Sequence, residues 1–128
     1  MRRQRVGQDI FRRALLQYWE GRCAVTGLSD PALLRASHIV PWSECVSNAH
    51  RLNVNNGLLL SALWDAAFDA GLVSFDDDGA ALISDQISSE AGQLLGSASR
   101  LRRQLSSEQR NFLRQHRRRW QPQIVLEP

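Results

Sequence analysis

The stretch from Leu33 to Gly71 constrains the fold most, because its breaking residues fix the order of its elements. Leu33 to Val40 reads as a strand, and Pro41 stops it, having no N–H to give to a ladder. A polar loop follows from Ser43 to Asn55. Asn56-Gly57 then reads as a turn into the apolar run Leu58, Leu59 and Leu60, a second strand. Ser61 stands where a helix cap would, the helix runs to Ala70, and Gly71 is placed to end it with a left-handed residue. The order is strand, loop, strand, helix.

On either side the periodicity is helical. Val6, Ile10, Phe11, Ala14, Leu15 and Tyr18 predict an amphipathic helix from Val6 to Trp19. Leu72–Phe75 and Ala80–Ser84 flank the turn Asp76-Asp77-Asp78-Gly79 and predict a second hairpin, with the aspartates read as solvated. A helix begins near Ser88 and is broken by Gly92 or Gly96. Ser106 and Gln109 have the S-x-x-Q form of a capping box, after which Phe112, Leu113, His116 and Trp120 share a face. No repeat or low-complexity linker divides the 128 residues, so a single domain over 1–128 is expected. The longest apolar run, Gly57 to Trp64, is too short for a bilayer, and Met1-Arg2-Arg3 opens no apolar leader. No membrane association and a cytoplasmic location are expected. Cys23 and Cys45 are too far apart for a zinc knuckle and read as buried thiols.

All 16 basic residues are arginine, and they are segregated. Residues 1–51 hold eight Arg against four acids, 52–99 hold seven acids and no Arg or Lys, and 100–128 hold eight Arg against two acids. Basic flanks around an acidic middle suit a protein that grips phosphates at its edges and holds a cation between them. Arg114, Arg117, Arg118 and Arg119 on the last helix are the candidate phosphate contacts, although a solvated helix face has the same composition.

Asp65 and Asp69 lie four apart and share a helix face, where like charges repel. Their helical neighbours Ser61, Ala62, Phe68, Leu72 and Val73 include no base. Asp69 also sits near the helix C-terminus, where the macrodipole disfavours an anion by about 0.3–1 kcal/mol. Such a pair is half a site for a hard divalent cation, and two aspartates on a wet face would look the same. His38, taken alone, reads as a hydrogen-bonded core histidine. Together, His38, Asn56, Asp65 and Asp69 supply a general base, an amide and two carboxylates, the parts a nuclease needs.

The segments CAVTG (Cys23–Gly27), ASHIVPW (Ala36–Trp42), NGLLLSALWDAAFDAG (Asn56–Gly71) and the following SFDDDG resemble HNH endonucleases of the type associated with restriction enzymes. RVGQDIFRRALL near the start and FLRQHR near the end extend the resemblance over nearly the whole chain. It implies an α+β fold with a ββα-metal core over residues 33–71, flanked by N-terminal and C-terminal helices. It puts His38 in the place of the general base, Asn56 in that of the central asparagine, and Asp65 and Asp69 at helix positions that carry metal ligands. Ser37 departs from the acid or histidine that many relatives have before the base, and the cysteine pairs of a structural zinc are missing. The implied activity is hydrolysis of phosphodiester bonds in DNA with Mg²⁺ or Mn²⁺, in restriction or anti-phage defence. DNA is the expected partner, and a homodimer or fusion to a recognition or sensor domain is compatible with it. A DNA-binding module that has lost cleavage and an RNA-cutting toxin are the alternatives.

Overall fold

In the computed structural model, which describes residues 2–96 and 98–124, β2 (Gly57–Ser61) has no exposed residue. A strand in an antiparallel pair usually shows one wet face. Here α1 (Arg2–Tyr18) and α3 (Ala62–Asp69) both pack on β2. Its free edge is covered as well, with the Ala24 N–H donating to the Leu59 carbonyl at 2.6 Å and the Ser61 N–H to Cys23 Sγ at 3.3 Å. That is why Leu58, Leu59 and Leu60 form an unbroken apolar run. They join Phe11, Leu15, Trp64, Phe68 and Phe75 in one core.

β1 (Leu34–His38) pairs antiparallel with β2, Leu34 opposite Ser61 and His38 opposite Gly57. α3 follows directly, giving the expected strand, loop, strand, helix order in an α+β fold. Ser61 occupies the N-cap position with extended backbone, but its hydroxyl makes no capping bond. Gly71 ends α3 as expected. Its φ of +70° suits glycine, the Leu72 N–H donates to the Ala67 carbonyl at 2.8 Å, and the Gly71 N–H to the Phe68 carbonyl at 3.2 Å. A Cβ there would lie 2.2 Å from Trp120 Cδ2, so close packing requires the glycine too.

The loop between the strands contains α2 (Asn48–Leu52), capped by Ser47, whose hydroxyl accepts from the His50 N–H at 3.1 Å. The sequence had suggested only polar loop here. β3 (Val73–Phe75) and β4 (Ala81–Ile83) form the second hairpin. α4 (Ser89–Leu95) runs through Gly92 and stops at Gly96, so the second of the two candidate breakers acts. α5 (Ser107–Arg119) starts with the predicted capping box: the Gln109 N–H donates to Ser106 Oγ at 3.1 Å, and the Ser106 N–H to Gln109 Oε1 at 2.8 Å. It packs against β3. No helix among the described residues is long and apolar enough to cross a membrane.

Candidate active site

His38 ends β1, and its imidazole is held from the inter-strand loop. Nε2 lies 2.8 Å from the Arg51 carbonyl oxygen. A carbonyl only accepts, so Nε2 carries the proton and the lone pair is on Nδ1. Nδ1 makes no hydrogen bond among the described residues and is not sealed from solvent. Arg51 holds the loop that holds His38: its guanidinium donates to the carbonyls of Trp42 at 3.2 Å and Cys45 at 3.1 Å. The rings of Phe11 and Trp42 close on the imidazole, and burial lowers its pKa below the ordinary 6.5.

Asn56 is fully buried behind this loop. Its Oδ1 accepts from the Val40 N–H at 2.8 Å, and its Nδ2 donates to the Val40 carbonyl at 3.2 Å. The amide therefore fixes the backbone just after His38. It does not line the cleft, so its place is that of a positioning residue for the loop that follows His38.

His38, Asp65 and Asp69 border one cleft of about 300 Å³, with Arg35, Ser37 and Trp42 around them. An adjoining hollow of about 220 Å³ shares His38 and Asp69 and adds His116 and Arg119. Burial, and then the neighbouring Asp65 charge, raise the Asp69 pKa above the usual carboxylate range. An imidazole and a carboxylate pair thus line a common space at the junction of strand, loop and helix. Residues 23–76, which contain all of these groups except Arg119 and His116, match a family model described as HNH endonuclease. Over this segment, less than half of its length, the chain is similar to HNH endonucleases. No curated protein matches the chain.

HNH domains are nucleases that act on nucleic acid and generally use a divalent cation. Among the described residues, no three His, Cys, Asp or Glu side chains converge into a ready-made metal site. The carboxylate oxygens at this cleft nevertheless fit a hard cation, because Mg²⁺ is commonly held by one or two carboxylates and keeps places for water and phosphate. Ser37 Oγ, at the cleft wall, is buried without a hydrogen-bond partner.

Not every arginine of α5 is free to grip phosphate. Arg117 is 7% exposed, donates to the Phe75 carbonyl at 2.6 Å and pairs with Asp77 at 2.9 Å. Arg114 pairs with the other oxygen of Asp77 at 2.8 Å, and these bonds hold the Asp77 carboxyl below its usual range. Arg117 is thus a strut between α5 and the second hairpin, which corrects its assignment as a phosphate contact, and Asp77 is not a merely solvated turn residue. Arg119 pairs with Glu44 at the cleft rim. Arg118 is exposed. His116 is buried: it stacks on Phe68 with ring centroids 3.8 Å apart, and its nitrogens bond Ser74 Oγ at 2.8 Å and the Phe68 carbonyl at 3.0 Å.

Proposed function

We propose that the chain is a metal-dependent endonuclease that hydrolyses phosphodiester bonds in DNA, folds as one domain, and serves restriction or anti-phage defence. The observation that carries the chemistry is the cleft lined by His38, whose Nδ1 is left without a hydrogen bond among the described residues, and by the Asp65–Asp69 pair. Neutral His38 takes a proton from water at Nδ1 as the water oxygen bonds to phosphorus and the bond to the 3′-oxygen breaks. The leaving 3′-oxygen takes a proton from solvent water, so the products are a 5′-phosphate and a 3′-hydroxyl. Asp69 and Asp65 would hold Mg²⁺ or Mn²⁺, which when bound supplies stabilisation of charge on the phosphate and leaving oxygen. The Arg51 carbonyl fixes the tautomer, and Asn56 fixes the loop. Arg118, with Arg35 and Arg119 at the rim, supplies affinity through phosphates and carries little sequence information.

Asp69→Asn tests the carboxylate pair because it acts oppositely with and without cation. In chelator the substitution removes like-charge repulsion, so stability should rise by about 0.2–0.5 kcal/mol. With the ion at a hundred times its dissociation constant, wild type should gain about 2.7 kcal/mol and the variant only a small part of that. Thermal melting in Mg²⁺, Mn²⁺ or chelator, at matched ionic strength, reads both effects. Wild-type and variant curves that do not move as either ion is titrated would remove the pair as a cation site.

A further inference from the structure

We propose that Phe11 is a positioning residue for the His38 imidazole and that Gly57 is the seat that allows Phe11 to reach it. The inference rests on His38 being the general base. The two rings stack nearly face to face, with centroids 3.8 Å apart and planes 12° from parallel. Phe11 belongs to α1, outside the segment that matches the HNH family, and is 1% exposed. The N-terminal helix thereby completes a site whose other groups come from the hairpin, its loop and α3.

The hydrogen bond to Arg51 leaves one freedom that this contact removes. The torsion about the Cβ–Cγ bond of histidine is intrinsically broad. Nε2 lies close to the axis of that rotation, on the far side of the ring, so a bond there restrains the swing weakly. Nδ1, the atom that would take the proton, lies farther from the axis and moves more. A flat ring pressed on the imidazole face restrains the swing directly, since rotation would drive one edge of the imidazole into it. Trp42 meets the imidazole edge-on at 5.5 Å and leaves the stacked face to Phe11.

Gly57 explains how Phe11 arrives there. It sits directly opposite His38 in the β1–β2 pair. A Cβ at Gly57 would lie 2.4 Å from Phe11 Cζ and 3.0 Å from Phe11 Cε1. Because Phe11 is enclosed in the core, the ring would have to leave its place against the imidazole. The glycine has an extended backbone that any residue adopts, so its requirement is the space above it.

The test uses the full chain and three readouts. In wild type, without metal or nucleic acid, the ring protons of His38, assigned by comparison with His38→Ala, should resonate upfield of ordinary imidazole positions because of the stacked ring. Phe11→Leu, which keeps apolar bulk, and Gly57→Ala, which leaves Phe11 in the chain, should both lose that displacement. In cleavage assays both should lower kcat by roughly ten- to a hundred-fold with KM within about twofold, the signature of a misplaced reacting group. Leu113→Ala, equally buried but in α5, should lower the melting temperature without either signature. The proposal is overturned if His38 protons in wild type sit at ordinary positions, or if Phe11→Leu keeps both the upfield displacement and the wild-type kcat. Failure of the base reading is separate: His38→Ala would then cleave like wild type while the upfield displacement persists in the intact protein.

Discussion

His38→Ala is expected to lower the cleavage rate by about a thousandfold, within the range of roughly 10²–10⁴ for loss of a positioned general base, while binding DNA nearly as tightly as wild type. The split follows from the division of labour at the cleft. The imidazole carries no charge when it acts as a base, so it adds little to the grip on phosphate, which belongs to arginines. Burial keeps its pKa below 6.5, so it is neutral at pH 7. The acid limb of the wild-type rate profile should therefore have its midpoint below 6.5, since the active form is the deprotonated one and a lowered pKa extends it to lower pH. Single-turnover cleavage and fluorescence anisotropy in chelator measure the two properties separately. Cleavage by the variant within tenfold of wild type would remove His38 from the reaction.

The second large effect is on acid stability and comes from a histidine outside the reaction. Enclosure between Phe68 and Ser74 pushes the His116 pKa from 6.5 down to about 4, with desolvation the main cause and the nearby Arg117 charge adding to it. The unfolded chain therefore takes up this proton first. The stabilisation is complete above 6.5, is lost as pH falls toward about 4, and changes no further below that. At about 1.4 kcal/mol for each tenfold difference in proton affinity, the loss across this window is about 3 kcal/mol. His38, also lowered, adds to the slope in the same direction, whereas the raised Asp69 carboxyl opposes it at lower pH. Urea denaturation of wild type and His116→Gln at pH 7.5, 5.5 and 4.5 separates the contributions, because the glutamine cannot titrate. Equal pH dependence in the two proteins would contradict the assignment.

The elements that could be read from the sequence were those whose signals are local. The Ser106–Gln109 box, Gly71 and the second hairpin depend on residues a few positions apart and appear as expected, and the α1 helix does too, although of its stripe Phe11 and Leu15 are buried while Val6 and Ile10 are exposed. Asp65 and Asp69 were legible as a pair for the same reason, since helix spacing alone puts them on one face. What stayed hidden depends on distant partners. Arg117 looks like its neighbours in sequence and differs only because Asp77 and the Phe75 carbonyl, from another hairpin, receive it. The partner of His38 is the backbone oxygen of Arg51, which no residue type announces, and the supporting role of the Arg51 side chain was missed with it. Phe11 was correctly placed on the buried face of α1, but an apolar stripe does not say which ring will meet an imidazole. Asn56 was legible as an amide of the site, but the residue it anchors, Val40, two positions past His38, was not.

The central claim, that the cleft around His38, Asp65 and Asp69 cuts DNA with the help of a divalent cation, is tested most directly by incubating the full chain with supercoiled plasmid in Mg²⁺, in Mn²⁺ and in excess chelator, with an RNA of similar length in parallel. Conversion of the plasmid to nicked and linear forms bearing 5′-phosphates, in either metal and not in chelator, is the predicted result. Plasmid left intact in both metals, plasmid cut equally well in chelator, or RNA degraded while plasmid survives would contradict it.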